Sequence, residues 1–178
     1  FWGGITEFDN IPLTRAVQKG WLAGIAGDEG INDVNAPHKL KSLGINVEVI
    51  KSSSVVDYNE LIEVKTLSND GHENSVKGTL LGKANDPRIV EVDSQAIEVR
   101  PIDLLLVVRN VDKPGIVGKL GTILGNHGVN IANMSLSRAD SGDFALTICE
   151  LDQEPAEDVL RMLEAEPDIR EARISRQG

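Results

Sequence analysis

The chain has 178 residues, enough for one domain or two small ones, and its 40% hydrophobic and 26% charged content is ordinary for a globular protein. A formal net charge of -10 argues against nucleic acid or an anionic membrane surface as the main partner. No apolar run approaches membrane-spanning length, and no charged-then-apolar leader opens the chain. It starts on Phe1-Trp2-Gly3-Gly4 without an initiator Met, as expected of a cut through a longer polypeptide. The single Cys149 excludes an internal disulfide and any multi-cysteine metal site within one chain.

Leu13, Ala16, Val17, Gly20, Trp21 and Gly24 lie at helical spacing and predict a helix over 10–25, with Pro12 in its first turn. Asn35-Ala36-Pro37 opens a second helix, with Leu40 and Leu43 facing inward and Gly44 ending it. Strands follow. Ile45, Val47 and Val49 alternate with Asn46 and Glu48, as do Ile62, Val64 and Thr66 with Glu63 and Lys65. Ser68-Asn69-Asp70-Gly71 marks a hairpin turn into a strand over 75–82, and 88–93 and 96–99 form another pair of short strands. Two helices followed by several strands indicate an α+β domain over 1–101. Pro101-Ile102-Asp103 is then a short joint to a second domain over 102–178.

Leu104-Leu105-Leu106-Val107-Val108 is short enough for a fully buried strand. Arg109, Asn110, Asp112 and Lys113-Pro114-Gly115 make a polar, turn-prone stretch. Beyond it Ile116, Leu120, Ile123, Leu124 and His127 form one stripe of a helix, and Gly128 suits the left-handed residue that closes it. A strand over 129–137 places Val129, Ile131, Asn133 and Ser135 on one face. A turn over 139–143 leads into a strand in which Phe144, Leu146 and Ile148 alternate with smaller residues, Cys149 being a small buried one. Pro155 opens a helix with Ala156, Val159, Leu160 and Leu163 inward, and 169–174 is a last strand. This β-α-β-β-α-β order is the ferredoxin-like arrangement. It predicts a four-stranded antiparallel sheet with both helices on one face, leaving the other face and an edge strand for a partner.

The polar stretch before the 116–127 helix is the place for chemistry. A helix start leaves backbone N–H groups unpaired at the positive end of the dipole, where an amino-acid carboxylate can sit. Asp112 is suited either to receive an ammonium group or to cap the helix. Asn130 offers both a donor and an acceptor, while Asn110 and Asn130 equally suit turn positions. Periodicity leaves these alternatives open. Gly115-Ile116-Val117-Gly118 and Gly121 lack the G-x-G-x-x-G spacing of a dinucleotide fold, and Gly118 and Gly121 are expected to permit close packing on the sheet or a partner. Cys149 has no base beside it, and His38, His72 and His127 have no metal-ligand spacing. Lys39, Lys41, Lys77, Arg88 and Arg100 are either an anion site in the first domain or solvated face charges.

Two stretches resemble known families. Asn110-Val111-Asp112-Lys113-Pro114-Gly115 followed by Gly128-Val129-Asn130-Ile131-Ala132 resembles the ACT domain, a small amino-acid-binding regulatory module. Leu13-Thr14 with Ala16, Val34-Asn35-Ala36-Pro37, Lys77-Gly78-Thr79 and Arg88-Ile89-Val90 resemble the intervening, allosteric-substrate-binding domain of the D-3-phosphoglycerate dehydrogenase family. The two together, in this order, resemble the C-terminal half of the long form of that enzyme.

The resemblance implies feedback control of serine biosynthesis in a cytoplasmic, homo-oligomeric parent enzyme that oxidises 3-phosphoglycerate with NAD. L-serine, or another small amino acid, would bind between ACT domains of neighbouring subunits. Carried over by position, the effector-binding residues are Asn110, Asp112 and Asn130. The family has His or Tyr where this chain has Asn110. With no G-x-G-x-x-G after a strand and no His–carboxylate pair, this stretch is expected to carry no catalytic, cofactor-binding or metal residues and to lack dehydrogenase activity by itself, and its charge points to neither a nucleic-acid nor a membrane partner. Two alternatives remain: the regulatory part of an iron–sulfur L-serine dehydratase, whose cluster cysteines would lie elsewhere, and a ligand-free ACT module that only joins subunits.

Overall fold

The computed structural model describes residues 1–27, 30–54, 56–102, 104–139 and 142–176. These pack as two compact units, one ending at Asp86 and the other beginning at Pro87. The division falls well before the joint expected at 101–103, of which Asp103 lies outside the described residues.

In the first unit Trp2–Gly3 (β1) pairs antiparallel with Glu60–Leu67 (β2), and β2 pairs antiparallel with Glu73–Leu81 (β3), Ile62 facing Gly78. The β2–β3 turn closes as its residue types predict: Ser68 N–H donates to the His72 carbonyl at 2.9 Å, and Gly71 takes φ 87°. Ile11–Ala26 (α1) carries Pro12 in its first turn, and Ala36–Ser42 (α2) follows Asn35. Leu22, Ile31, Ala36 and Leu40 form their shared core, with Trp21 and Ile45 packed against it.

Three expectations change here. Among the residues of α1 whose burial is described Leu22 is the buried one, whereas Leu13, Ala16, Gly20 and Gly24 are exposed. Leu43 is also exposed, because α2 ends at Ser42 and Leu43 lies beyond its last turn. The alternation over 45–50 forms no regular strand. Ile45 packs on the helices, but Val47 and Val49 stand half exposed. An alternating run becomes a strand only where a neighbour supplies backbone partners.

Asp86–Val92 (β4), which enters the second unit at Pro87, and Gln95–Val99 (β5) form a hairpin through Asp93 and Ser94, both at positive φ, as a tight two-residue turn requires. Then follow Leu104–Val111 (β6), Ile116–Asn126 (α3), Ile131–Arg138 (β7), Phe144–Leu151 (β8), Glu157–Glu164 (α4) and Ile169–Arg176 (β9). The sheet order is β7-β8-β6-β9, antiparallel throughout, the ferredoxin-like topology expected. Of the expected 139–143 turn, Asp140 and Ser141 lie outside the described residues.

Leu106 and Val108 of β6 face Ile116, Leu120 and Leu124 of α3, Val159 and Leu163 of α4, and Cys149. Each such buried aliphatic side chain contributes about 1.5–3 kcal/mol relative to exposure. Alternation sends Leu105, Leu146 and Ile148 to the opposite face, which was expected to lie open for a partner. It is covered instead: Ile97 and Val99 are buried against those three, with Ile89, Val92 and Ile102 alongside. Ser135 Oγ donates to the Glu98 carbonyl at 2.6 Å, and Arg109 pairs with Asp93 at the hairpin turn. This packing is why the compact unit begins at Pro87.

Smaller departures concern register and helix ends. In β7, Ile131 faces Leu151 but Asn133 faces Glu150, so one extra residue breaks the alternation. Ile131 and Met134 therefore both pack on the helix side, and Val129, Ile131, Asn133 and Ser135 do not share a face. His127 is not on the buried stripe of α3. It occupies the C-cap, exposed, with Nδ1–H donating to the Ile123 carbonyl at 2.8 Å. Ala156 is the exposed N-cap of α4 rather than an inward residue.

Candidate effector-binding site

The loop joining β6 to α3 is built on Gly115, whose φ of 95° makes it the N-cap of α3. No side chain caps the helix, so Asp112 does not play the cap role that its position allowed. Its carboxylate instead lies 3.0 Å from Arg138 Nε, at the end of β7. Its backbone N–H donates to the Asp143 carbonyl at 3.0 Å.

The other side of the loop is anchored to the turn between α4 and β9. Lys113 Nζ lies 2.6 Å from Asp168, and Lys119 Nζ lies 2.6 Å from Glu166 and 3.4 Å from Asp168. The Lys113 ammonium, followed by that of Lys119, holds the Asp168 carboxyl below its ordinary range. The hydrogen bond to Glu166 raises the Lys119 ammonium above its own. Val111 N–H also donates to the Asp168 carbonyl at 2.8 Å.

A cleft of about 300 Å³ opens beside this loop. Asn110, Asp112 and Lys113 line it from β6 and the loop, Ile116 and Val117 from the first turn of α3, and Leu136 and Arg138 from β7. It therefore joins a carboxylate, a guanidinium and a helix N-terminus to an apolar wall, a combination suited to a small zwitterion. Asn110 forms part of its floor, 1% exposed. Its Oδ1 accepts from Thr147 Oγ1 at 3.1 Å and its Nδ2 donates to the Val111 carbonyl at 2.9 Å, leaving one amide hydrogen uncommitted by these bonds.

Of the three expected contact residues, Asn110 and Asp112 meet in this cleft and Asn130 does not. Asn130 precedes β7, whereas Arg138 ends it, and an eight-residue strand spans about 23 Å between its end residues. Asn130 Nδ2 donates to Asp152 Oδ2 at 2.6 Å. The residue that residue-by-residue reading missed is Arg138. The expected strand stopped one residue short of it, and only the register, Arg138 opposite Ala145 while Asn110 faces the same Ala145 across β8, carries it to Asp112.

Of the basic residues considered as an anion site, Lys39 Nζ donates to the Gly30 carbonyl at 3.1 Å, Lys77 lies 3.9 Å from Glu63 and Arg88 3.3 Å from Glu98. The β6–α3 turn does not fit a dinucleotide, since Gly115 opens the helix and Gly118 and Gly121 lie inside it. A Cβ placed at Gly118 or Gly121 would meet nothing within 4 Å, so these glycines do not serve close packing on their own sheet.

Comparison with known proteins fits this architecture. A sequence model of the ACT domain matches residues 104–168, the stretch that runs from β6 through α4 and carries the cleft. The model of the D-3-phosphoglycerate dehydrogenase intervening domain matches residues 1–93, and the chain belongs to that family, as part of its C-terminal regulatory region. A D-3-phosphoglycerate dehydrogenase of Synechocystis sp. is 36% identical over 171 residues, covering 96% of this chain and 30% of the relative. That of Methanocaldococcus jannaschii is 33% identical over 162 residues, covering 91% and 30%. That of Mycobacterium tuberculosis is 32% identical over 141 residues, covering 79% and 27%. The chain thus spans less than a third of the length of these curated relatives.

Proposed function

We propose that this chain is the regulatory, amino-acid-binding portion of an NAD-dependent D-3-phosphoglycerate dehydrogenase of L-serine biosynthesis, with L-serine as feedback effector. Hydride transfer belongs to parts of the parent enzyme outside this chain, and regulation belongs to the ACT cleft. The observation that carries the proposal is the cleft itself, where Asp112 meets a helix N-terminus within the ACT match. Asp112 receives the effector's ammonium, and the start of α3 and Asn110 face its polar groups.

Asn130 enters from a second copy. β7 is an edge strand of its sheet, and antiparallel pairing with another β7 sets the residue-131 end of one copy beside the residue-138 end of the other. That operation carries Asn130 of a second copy toward the Asp112–Arg138 end, which no arrangement inside one chain achieves. An effector bound across such an interface holds two ACT domains in one arrangement, and its preference for that arrangement is what reaches a distant active site.

A ligand-free assembly module is the second reading, and it draws on Asn110 and Asn130 already having partners within the chain. Calorimetric titration of L-serine into the wild-type chain, Asp112→Ala and Asn130→Ala separates the two. The effector proposal expects binding by the wild type and at least about tenfold weaker binding by each variant, the scale of losing a charge-assisted hydrogen bond. No heat of binding with any of the three leaves the assembly module.

A further inference from the structure

We propose that Arg138 determines the specificity of the cleft by making it a reader of zwitterions, an inference that rests on the amino-acid-binding role given above. Arg138 Nε lies 3.0 Å from Asp112 Oδ2, the carboxylate to which the proposed function assigns the effector's ammonium. The chain therefore presents its own tethered cation to the acceptor that a ligand needs. The two partners differ in freedom. The Asp112 side chain is 19% exposed, whereas that of Arg138 is 72% exposed. The backbone next to Arg138 is fixed by Ala139 N–H donating to the Phe144 carbonyl at 2.9 Å. Side-chain rotation alone is then enough to move the guanidinium off Asp112, and an ion pair whose cation is exposed to water resists exchange only weakly.

The consequence for ligand choice follows from what Arg138 does next. An amine without a carboxylate must displace Arg138 and gives it nothing in return. A carboxylate without an ammonium meets an arginine already paired. An α-amino acid exchanges both partners at once: its ammonium takes Asp112, and its carboxylate takes the released guanidinium fork, which is matched to a planar carboxylate. Lys113, the other cation lining the cleft, is held on Asp168 at 2.6 Å. Arg138 thus works with the α3 N-terminus as the carboxylate's partner.

The test titrates L-serine and ethanolamine, which keeps the ammonium and hydroxyl but lacks the carboxylate, into the wild-type chain, Arg138→Gln and Arg138→Lys. Wild type should prefer L-serine. In Arg138→Gln, L-serine should bind at least about tenfold more weakly, while ethanolamine binds as well as or better than to wild type, so the preference collapses. Arg138→Lys should lie between them, retaining charge without the fork. Equal weakening of both ligands by Arg138→Gln would reduce Arg138 to a structural prop, and unchanged L-serine affinity would remove it from the site; either overturns the inference while the effector role stands. A wild-type chain that binds no L-serine overturns the effector role, and this inference with it.

Discussion

At the scale of single residues, titrating groups report on the packing most directly. Cys149 sits fully buried between the sheet and its helices, and that burial pushes its thiol up to about 11. The thiolate is the reactive form, so at pH 8 an aromatic disulfide reagent should label native protein only through opening of the fold. Stoichiometric labelling in guanidinium with negligible labelling over the same minutes in buffer is the expected result. Asp168 gives a pH signature of its own. Its folded pKa is depressed by Lys113 first, so its contribution is complete above the ordinary aspartate value and disappears as pH falls through the lower folded one. Asp168→Asn should melt below wild type at pH 7, and the gap should close on acidification below about pH 4. A constant gap would mean that the Asp168 side chain stabilises the fold by some means other than its charge, since the backbone carbonyl that accepts from Val111 N–H is kept in Asp168→Asn.

At the scale of elements, the β4–β5 hairpin is the addition that changes the ACT sheet from one-faced to two-faced. Ile97 is 6% exposed among Leu105, Leu146 and Ile148, and its replacement by alanine should cost about 2–5 kcal/mol, as for other buried aliphatic truncations. Val117 on α3 is 48% exposed, so Val117→Ala is the matched control and should cost well under that in chemical denaturation. Similar losses for the two would mean that the hairpin is not docked as described. The same elements show what was readable from residue order. Apolar runs identified β6 and β8, which are buried on both faces, helical periods identified α3 and α4, which each bury one, and Gly115 and Gly128 punctuated α3 where the backbone turns left-handed. What lay beyond that logic was anything set by a neighbour. The 45–50 alternation lacked a partner strand, the extra residue in β7 shifted its faces, and the polar surroundings of 88–99 gave no sign that Ile97 and Val99 would cover a sheet distant in sequence. Arg138 belongs to this group, since its partner Asp112 lies two strands away. Asp112 itself was legible because charge at a helix entry is a local feature.

At the scale of the whole molecule, the effector proposal makes ligand binding and assembly one equilibrium. Among the described residues no helix is long and apolar enough to cross a membrane. If Asp112 of one copy and Asn130 of another complete the site, L-serine binds the paired form better than the single chain. Mass action then requires L-serine to tighten the pairing, and requires pairing to tighten L-serine by the same factor. Sedimentation velocity across a dilution series, with and without saturating L-serine, measures the first half of that statement. Calorimetry at two protein concentrations measures the second. The expected result is a lower dissociation constant for self-association in L-serine, a shift of about five- to 150-fold for an allosteric coupling of ordinary size. Asn130→Ala should abolish the shift while leaving the ligand-free association unchanged, because Asn130 is exposed and its partner Asp152 lies in its own chain. Identical association with and without L-serine, in a chain that still binds it, would place the whole effector site within one ACT domain and remove Asn130 from it.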